Sequence, residues 1–220
     1  AKSQGYEGED IGESKEWVAA TKKFGKEGMT KEARMARAKE AGFDADNVMY
    51  HGTYDAANME GIDIKEFESG SWFTKSSGRA NQFTKEIDPR FQTGSTPYAE
   101  TSQVIPVFLK KPSVDTRTES GAKLYEQFLA DTGMSNRLNE KGLMPYTQEF
   151  EFSKWHNEKF GKKPDSIIVD EDGTGESVRV YNSSNIRSIN AAFDPDYSES
   201  ANILHQNNNI PEITRKIIGK

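Results

Sequence analysis

The sequence predicts an α+β fold built on a largely antiparallel sheet. Short runs rich in β-branched and aromatic residues predict strands. The connections between these runs differ in length and type, without the regular strand–helix alternation that indicates a parallel sheet. The predicted strands cover residues 48–50, 104–109, 166–169 and 178–181.

The helices follow from composition and from end signals. Residues 16–24 place Trp17 and Phe24 on one side of a short helix. Residues 31–41 are rich in good helix formers, with Thr30 as the N-cap residue and Gly42 at the C-terminal end.

Later segments are predicted in the same way. Residues 79–84 and 122–130 predict two further helices. Pro106 inside a predicted strand favours an edge position or a bulge, because proline has no amide hydrogen to donate. Residues 136–163 are charged and contain several aromatic residues, and we expect part of this segment to be a mobile functional loop or a helical lid.

Composition limits the classes of function. The chain has 220 residues, 34% hydrophobic and 29% charged, with a net charge of −6 and no cysteine. It has no apolar run that approaches the ~18 residues of a membrane helix and no broad basic face, so we expect neither a membrane nor a nucleic-acid partner. Its three histidines lack metal-ligand spacing, so we expect no metal site. We divide the chain into a flexible N-terminus with helices (1–40), a main domain (41–196) and a polar extension (197–220).

Two aromatic-containing segments are candidates for a ligand pocket. His51 ends the first predicted strand and is either a structural histidine or a hydrogen-bond partner for a ribose hydroxyl. Gly52 lets a ligand approach the backbone, whose N–H and C=O match a planar amide, and Thr53 follows it. Trp72 and Phe73 are either core residues or a flat wall for a heteroaromatic ring.

Three further positions complete this candidate pocket. Phe83 is a candidate for the opposite wall, and Ser76 for a hydroxyl that contacts a carboxamide. Glu176 directly precedes the last predicted strand and is either a solvated acid or a catalytic carboxylate. Such a carboxylate stabilises the oxocarbenium-like state through which a glycosidic bond is cleaved.

In these segments the chain resembles the ADP-ribosyltransferase superfamily, in the H-Y-E branch. It is most similar to the transferase-like domains of phage and mobile-element polyvalent proteins. The resemblance rests on several short blocks in a fixed order. The blocks are residues 41–44, 50–53, 70–74 with Ala80 and Phe83, 104–110, 165–169, 178–181 and 185–195.

The resemblance implies a split, mainly antiparallel two-sheet core with flanking helices and an NAD-binding cleft. It implies that His51 holds a ribose of NAD, Gly52 pairs with the carboxamide, and Trp72 takes the place of the second-motif tyrosine. Glu176 is the third-motif glutamate only if a bulge or turn at Gly175 re-aims it. Otherwise the family position is Ser177 and the catalytic acid is absent.

We therefore expect His51, Trp72 and Glu176 to converge on one crevice. The first hypothesis is an NAD-dependent mono-ADP-ribosyltransferase that uses NAD as substrate and modifies a protein target. The alternatives are a catalytically inactive structural or interaction module of a phage particle, and an NAD glycohydrolase toxin. The expected location is the cytoplasm of a bacterial host, or a virion from which the protein is injected.

Overall fold

The computed structural model describes residues 15–53, 70–83, 103–170 and 175–198. Within these ranges the chain forms five α-helices and seven strands. The helices are α1 (Lys15–Gly28), α2 (Lys31–Glu40), α3 (Ser77–Phe83), α4 (Glu119–Thr132) and α5 (Tyr146–Phe160). The strands are β1 (Met49–Thr53), β2 (Ser71–Thr74), β3 (Gln103–Leu109), β4 (Met144–Pro145), β5 (Ser166–Asp170), β6 (Glu176–Val180) and β7 (Ile186–Ser188).

The strands form one sheet in the order β4-β5-β6-β2-β1-β3-β7. Every neighbouring pair is antiparallel except β4 and β5, which run parallel. The predicted α+β class and the largely antiparallel sheet are confirmed. Pairing is uneven, because all five residues of β1 pair with β3, whereas the described ladder joins β1 to β2 only at Tyr50 and Thr74.

The two faces of the sheet bury different clusters. Adjacent residues of a strand point to opposite faces of the sheet. We call the face to which the Phe73 side chain points the Phe73 face, and the face to which Trp72 points the Trp72 face. The Phe73 face carries one cluster that crosses the whole sheet. Its members are Met49, Phe73, Ile105, Val107, Leu109, Leu143, Ile168, Val178, Val180 and Ile186.

The Trp72 face is covered in two separate parts. Over β5 and its neighbours, α4 and α5 pack Phe128, Phe152 and Trp155 against Ile167 and Val169. Over β3, a second cluster joins residues of α2, of the loop before β1 and of the segment after β7. Its members are Ala38, Phe43, Phe108, Ala191 and Phe193.

The segment 136–163 differs from its prediction. Residues 146–160 form α5, and the Phe152 side chain is completely buried. Phe152 and Trp155 are three residues apart and thus lie on one side of the helix, so burial of that side fixes α5 on the sheet. This part of the segment is therefore a core helix and not a mobile loop.

The N-terminal helices pack on the segment that follows β7. Thr30 caps α2 as predicted, accepting a hydrogen bond from the Ala33 amide. Arg34 donates to the carbonyl of Ala191, and Arg37 donates to that of Ala192. The described part of the predicted N-terminal segment thus packs against the main domain.

Pro106 lies within an interior strand whose register with β1 is unbroken, so the prediction of an edge position or a bulge was wrong. It pairs in register with Tyr50 on β1, and its carbonyl accepts from the Ile189 amide on the opposite side. The ladder to β7 begins only at Val107. An N–H at Pro106 would point to the same side, toward the Ile189 carbonyl, and that carbonyl accepts from Arg34 instead.

Candidate functional site

His51 is held at the place where β1 and β2 separate. Its Nδ1 lies 2.8 Å from the Trp72 carbonyl oxygen, so Nδ1–H is the donor. Its ring packs on Phe73 with ring centroids 5.3 Å apart. Burial lowers the pKa of His51, although the bond to the Trp72 carbonyl opposes this shift. The ring is therefore neutral at pH 7, and Nε2 is its acceptor.

Gly52 turns its peptide groups toward the gap between β1 and β2. The Pro106 carbonyl points away from β1, so the peptide groups of its partner Tyr50 point toward β2. Gly52 is two residues further on and shares that direction. In the described ladder no residue of β2 pairs with Gly52. This edge of β1 can therefore meet a planar amide.

Trp72 lies on the face of the sheet opposite to His51. It pairs in register with Arg179, whose guanidinium is 5.1 Å from the Trp72 ring and 5.2 Å from that of Tyr181. The indole packs against the cluster formed by α4 and α5. The expected crevice shared by His51, Trp72 and Glu176 is therefore not observed, because strand alternation places Phe73, and not Trp72, beside His51.

Glu176 begins β6 on the Phe73 face. It pairs with Asp170 in an unbroken register, so β6 has no bulge that re-aims its side chain. Gly175, directly before it, has φ of +138°, in the region that favours glycine. Ser177, opposite Thr74, points to the Trp72 face and is buried. Glu176 thus lies on the same face of the sheet as His51. However, β2 lies between their strands, and His51 is two residues further along β1 than the position level with Glu176.

The Glu176 carboxylate bridges two cations. It lies 2.9 Å from Lys75 Nζ and 2.6 Å from Arg117 Nη1. The hydrogen bond from Lys75, aided by Arg117, lowers the pKa of Glu176. Asp115 binds the Nε and Nη2 of Arg117 at 2.9 and 2.8 Å and raises the pKa of Arg117. Glu176 is therefore ionised and held in place.

A cavity of about 190 Å³ opens beside this network. Residues 110–117 cross the end of the sheet from β3 toward β5, where Val114 bridges to Ile167. The cavity lies between this crossover and the Phe73 face. Its lining consists of Asp44, Asn47, Met49, Lys75, Leu109, Lys110, Lys111, Pro112, Asp115, Arg117, Ile168, Glu176 and Val178.

A second charged group is buried under the Trp72 face. Glu149 is completely buried in α5 and accepts hydrogen bonds from Arg179 and from the Tyr181 hydroxyl. Burial raises the pKa of Glu149, and the Arg179 charge opposes this shift. Gly70 has φ of +91°, and a Cβ there would lie 2.8 Å from the Tyr181 ring. The close approach of the backbone to this group requires glycine.

The other predicted positions have simpler surroundings. Phe73 is a core residue with 2% exposure, which supports the core alternative for that side chain. The Ser76 hydroxyl accepts from the Arg79 amide at the start of α3. The side chains of Thr53 and Phe83 lie outside the described residues, so their predicted roles stay predictions.

Sequence reasoning missed Lys75, Arg117, Glu149 and Arg179. Arg117 binds a carboxylate 59 residues away, and Arg179 binds one 30 residues away. The only local signal was Asp115 two residues before Arg117. In the ranges that the structure describes, no group of three or more His, Asp or Glu side chains could hold a metal ion, and no helix could cross a membrane.

Comparison with known proteins adds no relative. The chain matches no family model, no curated protein and no solved structure.

Proposed function

We propose that the protein is an NAD-dependent mono-ADP-ribosyltransferase that modifies a protein target. The observation that carries the proposal is the end of the described β1–β2 pairing before Gly52, beside a neutral His51. The resemblance of the sequence to ADP-ribosyltransferases implies NAD as the ligand. In this proposal the Tyr50–Thr74 pair, which is the one pair of the described β1–β2 ladder, marks the split between the two halves of the family's sheet.

The edge of β1 matches the nicotinamide carboxamide. A primary amide carries two N–H donors and a carbonyl acceptor in one plane, so one N–H and the C=O can pair with a strand edge as a neighbouring strand does. Gly52 has no side chain to prevent this approach. Beside it, the Nε2 of a neutral His51 accepts a hydrogen bond from a ribose hydroxyl, because Nδ1–H is used by the Trp72 carbonyl.

In the reaction, the bond between the ribose C1′ and the nicotinamide nitrogen breaks, and nicotinamide leaves with the electron pair. The cationic ribosyl group is then captured by a nucleophile of the target, which forms a new bond to C1′. Glu176 is a carboxylate on the His51 face, as is its ladder partner Asp170, and it is ionised through Lys75 and Arg117. An ionised carboxylate stabilises the developing positive charge, provided that the bound ribose reaches it.

Incubation with NAD labelled in its adenylate half tests this proposal. We expect label on protein and release of nicotinamide by the wild-type protein, with both lost in Glu176→Gln. Glu126→Gln is the matched control, because Glu126 is exposed on α4. Absence of both transfer and release in the wild type, or equal rates in Glu176→Gln, contradicts it. Release without transfer identifies a glycohydrolase.

Two observations favour a second candidate, a non-catalytic module of a phage particle with the same fold. Trp72 and the family position at Ser177 lie on the face away from His51, and Glu176 is already engaged by two cations. Calorimetry separates the candidates: NAD binding without nicotinamide release identifies a binding module, and no binding at millimolar NAD leaves a structural role. The location in the bacterial cytoplasm or in a virion is part of these proposals, and so is the protein target.

A further inference from the structure

We propose that the cavity between the 110–117 crossover and the Phe73 face binds a free α-amino acid with an apolar side chain. The ammonium of the ligand would pair with Asp44, its carboxylate would pair with Lys111, and its side chain would lie on the apolar floor. This inference does not rest on the proposed transferase activity, because it uses only the charges, contacts and size of the cavity.

Most charges of the lining neutralise one another. The Glu176 carboxylate is paired with both Lys75 and Arg117. Asp115 is paired with Arg117 as well. These four side chains form one network of two cations and two carboxylates, so it has no net charge with which to select an anion or a cation.

One carboxylate and one ammonium of the lining remain, those of Asp44 and Lys111. Lys110 does not add to them, because its Nζ lies 5.5 Å from the centroid of the Phe43 ring, in the cluster on the Trp72 face. Asp44 accepts from the neutral Asn47 amide at 2.9 Å. Within the ranges that the structure describes, neither Asp44 nor Lys111 forms an ion pair. Two unlike charges in a cavity without net charge match a zwitterion.

The backbone places Asp44 and Lys111 close together on the cavity side. Phe43 pairs with Lys110 in an isolated antiparallel bridge, and the Asp44 amide donates to the Leu109 carbonyl at 2.9 Å. Asp44 therefore lies opposite Leu109, whose side chain belongs to the cluster on the Phe73 face. Lys111 is two residues beyond Leu109, and such diagonal neighbours across an antiparallel pair are about 7–8 Å apart. One small ligand can thus contact both groups.

The floor and the size of the cavity define the rest of the ligand. The floor is apolar and is formed by Met49, Leu109, Ile168 and Val178. A cavity of about 190 Å³ has the volume of roughly six water molecules, and it is smaller than the about 300 Å³ at which pockets for drug-sized ligands begin. The cavity therefore suits a compact molecule that combines two opposite charges with a hydrocarbon group. An α-amino acid with an apolar side chain has this chemistry.

Calorimetry with four matched compounds tests the inference. L-leucine carries both charges and an apolar side chain, and glycine lacks that side chain. 4-Methylpentanoate is leucine without its ammonium, and 3-methylbutylamine is leucine without its carboxylate. We expect leucine to bind at least about fivefold more tightly than each of the other three, because each of them lacks one of the three contacts.

Variants of the two charged residues have matched controls close by in the chain. Asp44→Asn and Lys111→Met should each weaken leucine binding by at least about threefold. The control for Lys111 is Lys110→Met, whose ammonium lies over the Phe43 ring. The control for Asp44 is Asp46→Asn, since Asp46 is exposed and paired with Lys39 outside the lining. Both controls should leave binding within about twofold.

Three outcomes overturn the inference. They are no binding of leucine by the wild type at millimolar concentration, equal binding of leucine and a compound with one charge, and equal losses in a variant and its control. Asp44→Asn should weaken the binding of 3-methylbutylamine and leave that of 4-methylpentanoate unchanged. The measurement needs no turnover, so failure of the transferase assay leaves this result intact, and the reverse also holds.

Discussion

The His51 ring donates a hydrogen bond to the Trp72 carbonyl at the position where the backbone pairing of β1 and β2 ends. A side chain thus satisfies a carbonyl that a neighbouring strand would otherwise bind. This bond connects the two strands and fixes the tautomer of the ring, whereas burial lowers its pKa and keeps it neutral.

Loss of this bond should destabilise the protein. We expect His51→Ala to lower the free energy of unfolding by about 1–3 kcal/mol, because the Trp72 carbonyl loses its donor and the ring leaves space beside Phe73. Urea unfolding measures the change. His156→Ala is the control, since His156 also bonds a backbone carbonyl, that of Lys162, but at an exposed site. Equal losses in the two variants would show that the buried bond has no special role.

The lowered pKa of His51 predicts a dependence of stability on pH. Below about pH 6.5 the unfolded histidine takes up a proton that the buried ring resists. Stability is therefore complete above that pH and falls on acidification, with a slope of at most about 1.4 kcal/mol per pH unit. The measurement is the unfolding free energy of wild type minus that of His51→Ala from pH 7.5 to 5.5. The difference should shrink toward pH 5.5. Glu149, whose raised pKa acts in the opposite direction, cancels from it.

Removal of the Glu149 carboxylate should leave Arg179 as a buried charge without its partner carboxylate. We expect Glu149→Leu to cost about 3–5 kcal/mol, and Glu149→Leu/Arg179→Met to cost clearly less than the sum of the two single variants. Chemical denaturation of the four proteins in this cycle measures the coupling. Glu126→Leu, at an exposed position of α4, should change stability by less than about 0.5 kcal/mol. Additive losses would refute the coupling.

Gly121 should tolerate no side chain. A Cβ there would overlap the Asp115 carbonyl, whereas a Cβ at Gly78 would meet only Ser76 Oγ at 3.7 Å. Both glycines lie in the first turn of a helix. We expect Gly121→Ala to lower the free energy of unfolding by about 1–3 kcal/mol through overpacking. Gly78→Ala should be neutral or stabilising, as alanine is the better helix former. Thermal unfolding of the two variants is the test, and a stable Gly121→Ala protein would contradict the contact.

Much of the fold could be predicted because its signals are local. The Thr30 cap, the strand that became β3 and the helix that became α4 follow from neighbouring residues. The first strand was likewise predicted, although β1 runs through His51 and Gly52 to Thr53 and does not end before them. The face of the sheet on which a side chain lies was not predicted. It depends on the register between strands, and one residue of slip exchanges the two faces.

The candidate site shows this limit clearly. The spacing of Trp72 and Phe73 fixes only that they point in opposite directions. The pairing of Phe73 with Val178 then decides that Trp72 faces the helices. The partners of Glu176 could not be predicted at all, because Lys75 and Arg117 are 101 and 59 residues away in sequence.

Among the described residues, the ladder between β1 and β2 consists of the Tyr50–Thr74 pair alone. The two sides of the sheet are joined elsewhere, because the cluster on the Phe73 face spans them and α3, which follows β2, packs against β1. The 110–117 crossover adds a third connection, since it leads from β3 to Val114, which bridges to Ile167 on β5. The seam between β1 and β2 is thus interrupted at Gly52 while the rest of the molecule keeps both strands in place.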